Sequence, residues 1–187
     1  MILETIKKAN SVAQESETIL VKAAIEGNAD SFTELASRYY PAMVAIAHSI
    51  TGDRDLAEDA AQSCFAKAAV KLPQLQSHEK FAGWLATICR NAAKDIYKRE
   101  NGRCKTSDLS KIEIKSEEND TREAVKDALT KLPDSDREVI YLRFYDGLSY
   151  EQISAVLGIS EQAINGRLRR AKKKMAQILR REGFKQV

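Results

Sequence analysis

The chain is poor in the residues on which metal centres, nucleophilic sites and disulfide frameworks depend. Its 187 residues include two histidines, three cysteines, three prolines and eight glycines. His48 and His78 stand in neither a metal-ligand nor a nucleophile pattern, and no glycine-containing stretch has the spacing of a phosphate-binding loop. We expect His48 in or beside a hydrophobic core and His78 in a loop. These absences predict a protein that is not an enzyme and uses no metal or cofactor.

Other absences bear on fold and location. Few prolines, few glycines and few alternating β-branched runs favour an all-α protein. No apolar run approaches the length of a membrane span, and the first 18 residues, MILETIKKANSVAQESET, lack the apolar core of a signal peptide. Cys64, Cys89 and Cys104 are odd in number and widely spaced, which is typical of reduced thiols. The cytoplasm is the expected location.

Charge is distributed unevenly along the chain. The net charge is only +3, yet residues 161–187 hold nine lysines and arginines against two glutamates. The rest of the chain is therefore slightly acidic. This balance is expected of a molecule that meets DNA at one end and protein elsewhere.

The basic end coincides with a helix-turn-helix pattern in residues 148–175, LSYEQISAVLGISEQAINGRLRRAKKKM. Ser149 and Gln152 form a capping box, Gly158 permits the turn, and Ser160 caps the second helix. The apolar stripes are Ile153, Val156 and Leu157 in the first helix and Ile164, Leu168 and Ala171 in the second. The pattern predicts a second helix shaped for a DNA major groove. A helical hairpin with a solvated basic face is the plainer alternative.

Helical periodicity predicts four helices before residue 100. They are expected to begin near Thr18, at Asp30 or Ser31, at Asp55 and at Phe81. Their main inward positions are Leu20, Ala23 and Ala24; Phe32, Leu35, Ala36, Tyr39 and Tyr40; Leu56, Ala60, Phe65 and Ala69; and Phe81, Trp84, Leu85, Ile88, Ala92 and Ile96. Pro41 is expected to kink or restart the second helix. Trp84 is either a buried anchor or a platform on which bases stack.

The next stretch divides the chain. Residues 101–120 mix charges of both signs and carry few apolar side chains, which predicts a flexible linker. A second helical unit follows, with a break at Pro133. Its apolar positions before the helix-turn-helix are Ala124, Val125, Ala128 and Leu129, then Val139, Ile140, Leu142 and Phe144. The predicted organisation is an N-terminal extension (1–17), a helical domain (18–100), a linker (101–120) and a helix-turn-helix domain (121–187).

Four stretches in this order resemble a known family. They are AAIEGNADSFTELASRYYP, GDRDLAEDAAQSCFAKA, FAGWLATICRNAAKDIYKR, and LPDSDREVIYLRFYDGLSYEQISAVLGIS followed by RLRRAKKKM. The chain resembles a bacterial RNA polymerase sigma factor of the extracytoplasmic-function type, in the sigma-70 family, over about residues 20–100 and 121–180. The resemblance implies a subunit that binds core RNA polymerase and directs initiation at promoters. It also implies double-stranded and melted promoter DNA as ligands and an anti-sigma factor as a possible partner.

The resemblance also implies three sets of site residues. Core polymerase would dock on Asp55, Glu58, Asp59, Gln62 and Ser63. The minus-ten element would meet Arg90, Asn91, Lys94, Lys98 and Arg99, beside the loop 75–80. The minus-thirty-five element would meet Gln162, Asn165, Arg169, Arg170 and Lys173. Acidic side chains suit guided docking, amides can pair with adenine, and arginine can pair with guanine or phosphate. The plainer interpretation of all three sets is solvated helix faces.

The chain departs from the family pattern at three places. Ser63 stands where an acidic residue is usual, Val70 where a tryptophan is frequent, and Asn165-Gly166 where a basic-small pair is usual. Phosphorylation of Ser63 would restore negative charge there, although a neutral substitution is the simpler explanation. Two rival functions remain open: a conventional helix-turn-helix regulator, and a sigma-like mimic that sequesters an anti-sigma factor.

Overall fold

The computed structural model describes residues 16–104 and 117–184, with the backbone alone for 102–104 and 117–120. All regular structure in these ranges is helical, which confirms the all-α fold class. None of the described helices is both long and apolar enough to span a membrane. Most of the predicted N-terminal extension and linker lies outside the described residues.

Eight helices follow one another along the described chain. They are α1 (16–25), α2 (Ala29–Thr51), α3 (Arg54–Lys71), α4 (Phe81–Cys104), α5 (Glu117–Thr130), α6 (Asp134–Ile140), α7 (Tyr150–Leu157) and α8 (Glu161–Arg181). Short 3-10 turns occupy Leu72–Gln74 and His78–Lys80, and one π-helical turn, Tyr141–Tyr145, follows α6. Both α4 and α5 extend into the sequence assigned to the linker. Mixed charge did not exclude helix there, because Lys, Arg and Glu are good helix formers on a solvated surface.

Helix α4 begins at Phe81 as predicted, whereas α2 and α3 begin one or two residues before their predicted starts. The side chain of Asn28 caps α2 by accepting from the Ser31 N–H at 2.9 Å, and that of Asp53 caps α3 by accepting from the Leu56 N–H at 3.0 Å. The predicted starts, Asp30 or Ser31 and Asp55, lie slightly too late because the first helical residue directly follows the cap. Pro41 lies inside α2, which stays continuous through it.

Helices α2, α3 and α4 pack together as a bundle, and α1 joins it. The Tyr39 hydroxyl donates to a Glu17 carboxylate oxygen at 2.5 Å, which ties α1 to α2. Burial and this glutamate raise the pKa of Tyr39, so its hydroxyl stays protonated. The inward face of α3 is made of small residues: Ala57, Ala60, Ala61, Cys64 and Ala68.

The sequence prediction for α3 was therefore partly wrong. Ala69 is exposed, and Phe65 is only half-buried. The Phe65 ring stacks on that of Tyr40, with centroids 6.2 Å apart. The large side chains gave the stronger apolar signal, whereas a row of small residues lets neighbouring helices approach closely.

The helix-turn-helix forms as predicted. Ser149 accepts from the Gln152 N–H at 3.1 Å, and the Gln152 side chain accepts from the Ser149 N–H at 2.8 Å. Gly158 ends α7 in the left-handed region, at φ 66°, and Ser160 caps α8. The buried stripe residues are Ile153, Val156, Ile164, Leu168 and Ala171. Phe144, predicted to face inward, is instead exposed, because the π-helical turn changes the register after Ile140.

The N-terminal bundle and the C-terminal unit share one hydrophobic core. The eight residues 42–49 of α2 are all buried. The bundle covers one side of this stretch, and α6 with the π-helical turn covers the other. The guanidinium of Arg137 donates from Nε to the Ser49 carbonyl oxygen at 2.6 Å. The sequence prediction of two separate units did not foresee this contact.

Removal of the Ser149 cap gives a direct test of the helix-turn-helix. Ser149→Ala should lower the free energy of unfolding by about 1 kcal/mol, because one orphan N–H of α7 loses its acceptor. Thermal unfolding followed by circular dichroism measures the change. Ser37→Ala, at an exposed position within α2, is the matched control and should stay within about 0.5 kcal/mol of the parent. Equal losses in the two variants would contradict the capping role.

Candidate protein and nucleic-acid interfaces

An acidic strip runs along the first half of α3. Asp55 and Asp59 are exposed one helical turn apart, and Gln62 continues the same side. Glu58 accepts from Arg54 Nε at 3.0 Å, an exposed pair of small energetic value. The structure thus brings together four of the five residues predicted for protein docking on one solvent-facing surface.

The two unusual positions on α3 differ in exposure. Ser63, the fifth predicted docking residue, is half-buried beside Gln62. Val70, near the end of the helix, is 79% exposed. A single exposed valine is ordinary on a protein surface and needs no special explanation. The phosphorylation hypothesis for Ser63 stays a prediction.

The exposed side of α4 carries amide and cationic groups. Asn91, Lys94 and Lys98 are exposed at spacings of three and four residues, and Arg99 is exposed beside them. Cations at this spacing form one face that can follow a phosphate backbone. At the start of the same helix Trp84 is half-buried, with its ring 5.9 Å from that of the buried Phe81. Trp84 therefore packs against the hydrophobic core, as the buried-anchor interpretation predicts, with part of its ring exposed.

Arg90 differs from the other predicted members of this face. Its Nε donates to Glu138 Oε1 at 2.8 Å, and the Arg90 and Glu138 side chains are 30% and 12% exposed. The sequence prediction placed this set of five residues mostly on the outer side of α4. For Arg90 that placement was wrong, because its side chain turns to Glu138 of the C-terminal unit and is held there by this bond.

The outward side of α8 carries the predicted base-reading residues. Gln162, Asn165, Arg169 and Lys173 are all exposed, opposite the buried stripe that anchors the helix. Arg170 is also largely exposed, but its Nη2 lies 3.5 Å from the carboxylate of Asp136. A helix held by its apolar side presents the other side to a groove, so these residues meet the geometric requirement for base contacts.

Gly166 is not required by packing. A Cβ added there would come no closer than 3.6 Å to Arg170 Nη1, which is ordinary contact, and its φ is not in the left-handed region. A mid-helix glycine costs about 1 kcal/mol against alanine. A glycine at this position of α8 is therefore consistent with a close approach of the helix backbone to a ligand.

Two buried acidic residues of α6 were missed by the sequence analysis. Asp136 and Glu138 are 7% and 9% exposed and contact Arg170 and Arg90, one arginine from each predicted DNA-binding face. Between them, Arg137 Nη2 donates to Asp134 at 2.7 Å. The segment DSDREV resembles a solvated helix start, and no pattern within it indicates partners that are distant in sequence.

The thiols of Cys64 and Cys89 are buried between helices. They lie close to the Leu85 and Met43 carbonyl oxygens, at 3.5 and 3.2 Å. A hydrogen bond with Cys64 and burial raise the pKa of Cys89, which keeps it a weak nucleophile. Within residues 16–104 and 117–184, no group of His, Cys, Asp and Glu is arranged to hold a metal ion.

Comparison with protein families matches both units. The family described as sigma-70 region 2 matches residues 35–103, and sigma-70 region 4 matches residues 122–175. RNA polymerase sigma factor SigZ of Bacillus subtilis is 32% identical over 149 residues, which cover 75% of this chain and 82% of SigZ. ECF RNA polymerase sigma factor EcfG of Rhodopseudomonas palustris is 30% identical over 148 residues, 76% of this chain and 82% of EcfG.

Solved structures give the same result. CnrH in complex with the cytosolic domain of CnrY matches with a TM-score of 0.60 and 27% identity, over 89% of this chain and 99% of CnrH. The sigma factor RpoE in complex with the anti-sigma factor NepR, from Bartonella quintana, matches with a TM-score of 0.51 and 27% identity, over 80% of this chain and 96% of RpoE. The chain belongs to the extracytoplasmic-function group of the sigma-70 family of RNA polymerase sigma factors.

Proposed function

We propose that the protein binds core RNA polymerase and directs transcription initiation at a specific class of promoters. The supporting observation is that three polar faces, the acidic strip of α3 and the amide- and cation-bearing sides of α4 and α8, lie on helices of the two matched sigma-70 regions. The protein contributes no catalytic group of its own, since polymerase supplies the chemistry, and it acts in the cytoplasm with that enzyme.

The acidic strip of α3 is the proposed docking site for core polymerase. Asp55, Asp59 and Gln62 are exposed on one side of the helix, with Glu58 and Ser63 at its margins. Complementary charge speeds encounter and fixes orientation, so a basic surface on the polymerase is the expected partner. Phosphorylation of Ser63 would add negative charge to the same surface.

The exposed side of α4 is the proposed site for the minus-ten element. Lys94, Lys98 and Arg99 supply phosphate contacts, and Asn91 supplies an amide that can pair with an unstacked base. Arg90 joins this set only after it leaves Glu138. Each phosphate contact that forms should steepen the salt dependence of DNA binding by about 0.9 in log–log slope on duplex DNA and about 0.7 on single strands.

The outward side of α8 is the proposed reader of the minus-thirty-five element. Asn165 and Gln162 are suited to adenine, Arg169 and Arg170 to guanine or phosphate, and Lys173 to phosphate. Gly166 leaves room between them for a close approach of the helix backbone. The target sequence will differ from that of relatives that carry a basic-small pair at 165–166.

An anti-sigma factor is a further proposed partner. Two of the sigma factors that this chain resembles were solved in complexes, RpoE with the anti-sigma factor NepR and CnrH with the cytosolic domain of CnrY. A partner that covered α3 or α4 would block the proposed polymerase and promoter contacts.

Selection of promoter fragments tests the proposal. Random DNA is incubated with core polymerase and this protein, and the retained fragments are sequenced. A two-part motif that appears only when both proteins are present is the expected result. A single motif retained without polymerase would indicate a conventional regulator, and core binding without enrichment of any motif would indicate a mimic.

A further inference from the structure

The contact between the two units contains a histidine. The interdomain seam is defined here as the C-terminal half of α2, with His48 and Ser49, against Arg137, Tyr141 and Tyr145 of α6 and the π-helical turn. His48 is 8% exposed, and it is one of only two histidines in the chain. A histidine at such a boundary changes charge in the physiological pH range, so its surroundings determine whether the boundary tolerates acid.

Two tyrosines from the C-terminal unit enclose the imidazole. The centroids of the Tyr141 and Tyr145 rings each lie 4.8 Å from that of His48, in edge-to-face geometry. The two tyrosine rings stack on each other at 5.0 Å. The Arg137–Ser49 hydrogen bond lies next to this cluster, one residue along α2. The side chains around His48 therefore belong largely to the C-terminal unit, and they would move away from His48 if the two units separated.

The charged groups that face His48 come from three further places. Asp53 lies before α3, Arg54 begins it, and Lys126 belongs to α5. Burial lowers the pKa of His48, Arg54 and Lys126 lower it further, and Asp53 partly opposes them. Burial raises the pKa of Tyr141, which therefore stays neutral. When the two units are packed together, the surroundings of His48 therefore disfavour its protonated form.

We propose that the interdomain seam is a proton-responsive latch, closed around neutral His48 near pH 7.5 and released when acid protonates it. Opening returns the imidazole to water, where its pKa is about 6.5. The closed form binds fewer protons than the open one, so closure is at full strength above about pH 6.5 and weakens as pH falls. For each unit by which closure lowers the pKa of His48, the equilibrium constant for closure falls tenfold at pH values well below the pKa of both the closed and the open form.

One acidic group near the seam, Asp146, acts in the opposite sense. Asp146 follows the π-helical turn, and burial raises its pKa while Arg54 opposes the change. Protonation of Asp146 therefore suits its buried position and does not favour opening. Acid acting on Asp146 would therefore not release the seam.

Release has a consequence for the proposed DNA contacts. The Arg90–Glu138 bond crosses the same boundary between the units, from α4 to α6. Opening separates these side chains and returns Arg90 to the cationic side of α4. Only this consequence rests on the proposed function, because the latch itself requires neither polymerase nor DNA.

Small-angle scattering of the intact protein between pH 7.5 and 5.0 tests the latch, with circular dichroism to confirm that the helices persist. The wild-type radius of gyration should rise as pH falls below about 6.5. His48→Gln, which cannot be protonated, should remove the rise, and His78→Gln should keep it. A wild-type protein that stays equally compact at every pH, or an identical rise in His48→Gln, would overturn the proposal.

Histidine ring resonances provide a second measurement in case His48→Gln does not fold. The His48 signal of the wild type, identified by the loss of the other in His78→Gln, should titrate below the ordinary value of about 6.5. Tyr145→Ala, at a ring that is 60% exposed, should loosen the seam and move the His48 pKa upward. Titration of wild-type His48 at or above the ordinary value, or no shift in Tyr145→Ala, would overturn the latch.

Discussion

Reversal of charge at Asp55 and Asp59 is expected to weaken binding to core RNA polymerase by at least ~100-fold, since close interfacial charge pairs have coupling energies of about 1.5–7 kcal/mol. Both carboxylates are exposed one turn apart near the start of α3. Asp55→Arg with Asp59→Arg places two cations where the proposed partner surface is basic. Affinity can be measured by competition with a labelled sigma factor for core polymerase.

The chain offers a matched control for this experiment. Asp30 and Glu34 are also exposed acidic residues four apart near the start of a helix, α2, so their reversal changes net charge and helix-end electrostatics equally. The Glu34–Arg38 pair that would be lost is exposed and of small value. Asp30→Arg with Glu34→Arg should keep the affinity for core polymerase within about threefold of the parent, because exposed charges outside the docking surface contribute little. Equal affinity losses in the two double variants would remove the case for α3 as the docking surface.

Truncation of the outward side of α8 should have the second large effect. Asn165→Ala with Arg169→Ala is expected to lower transcription from promoters that depend on the minus-thirty-five element by at least about 30-fold, because each of two good base contacts contributes at least about 1 kcal/mol. Neither side chain belongs to the buried stripe, so the fold should persist. Initial transcription rates on promoters with intact and scrambled upstream elements separate specificity from general activity.

Gln177 and Arg181 reproduce the same spacing further along α8 and are also exposed. Gln177→Ala with Arg181→Ala removes one amide and one cation beyond the proposed reading positions. This control should lose little specificity and a modest part of the salt-dependent affinity. If it discriminated between intact and scrambled elements as poorly as the first pair, the reading face would have been placed wrongly.

The local parts of this fold could be predicted because their causes are local. The capping box at Ser149, the left-handed glycine at 158 and the cap at Ser160 each depend on residues within four positions, and all are present in the structure. The exposed sides of α3 and α8 follow from the same helical periodicity. The sequence thus predicted which site residues are exposed in most cases, whereas the roles of these residues remain proposals.

The interdomain seam could not be predicted because its causes are distant in sequence. Arg137 contacts the chain 88 residues earlier, and Arg90 finds Glu138 48 residues later. One signal was available: α2 is apolar on all sides from 42 to 47, and a helix of that kind is buried on all sides. That signal indicates a covering element without identifying it. The inward face of α3 was predicted only in part for a related reason, since small side chains pack closely without a strong apolar signal.

Run-off transcription with purified core polymerase is the most direct test of the central claim. On a template from the fragment selection, transcripts with one fixed start should require both core polymerase and this protein, and Asp55→Arg with Asp59→Arg should abolish them. Binding to core polymerase without a transcript, or equal occupancy of the promoter with and without polymerase, would contradict the claim that this protein is an initiating sigma factor.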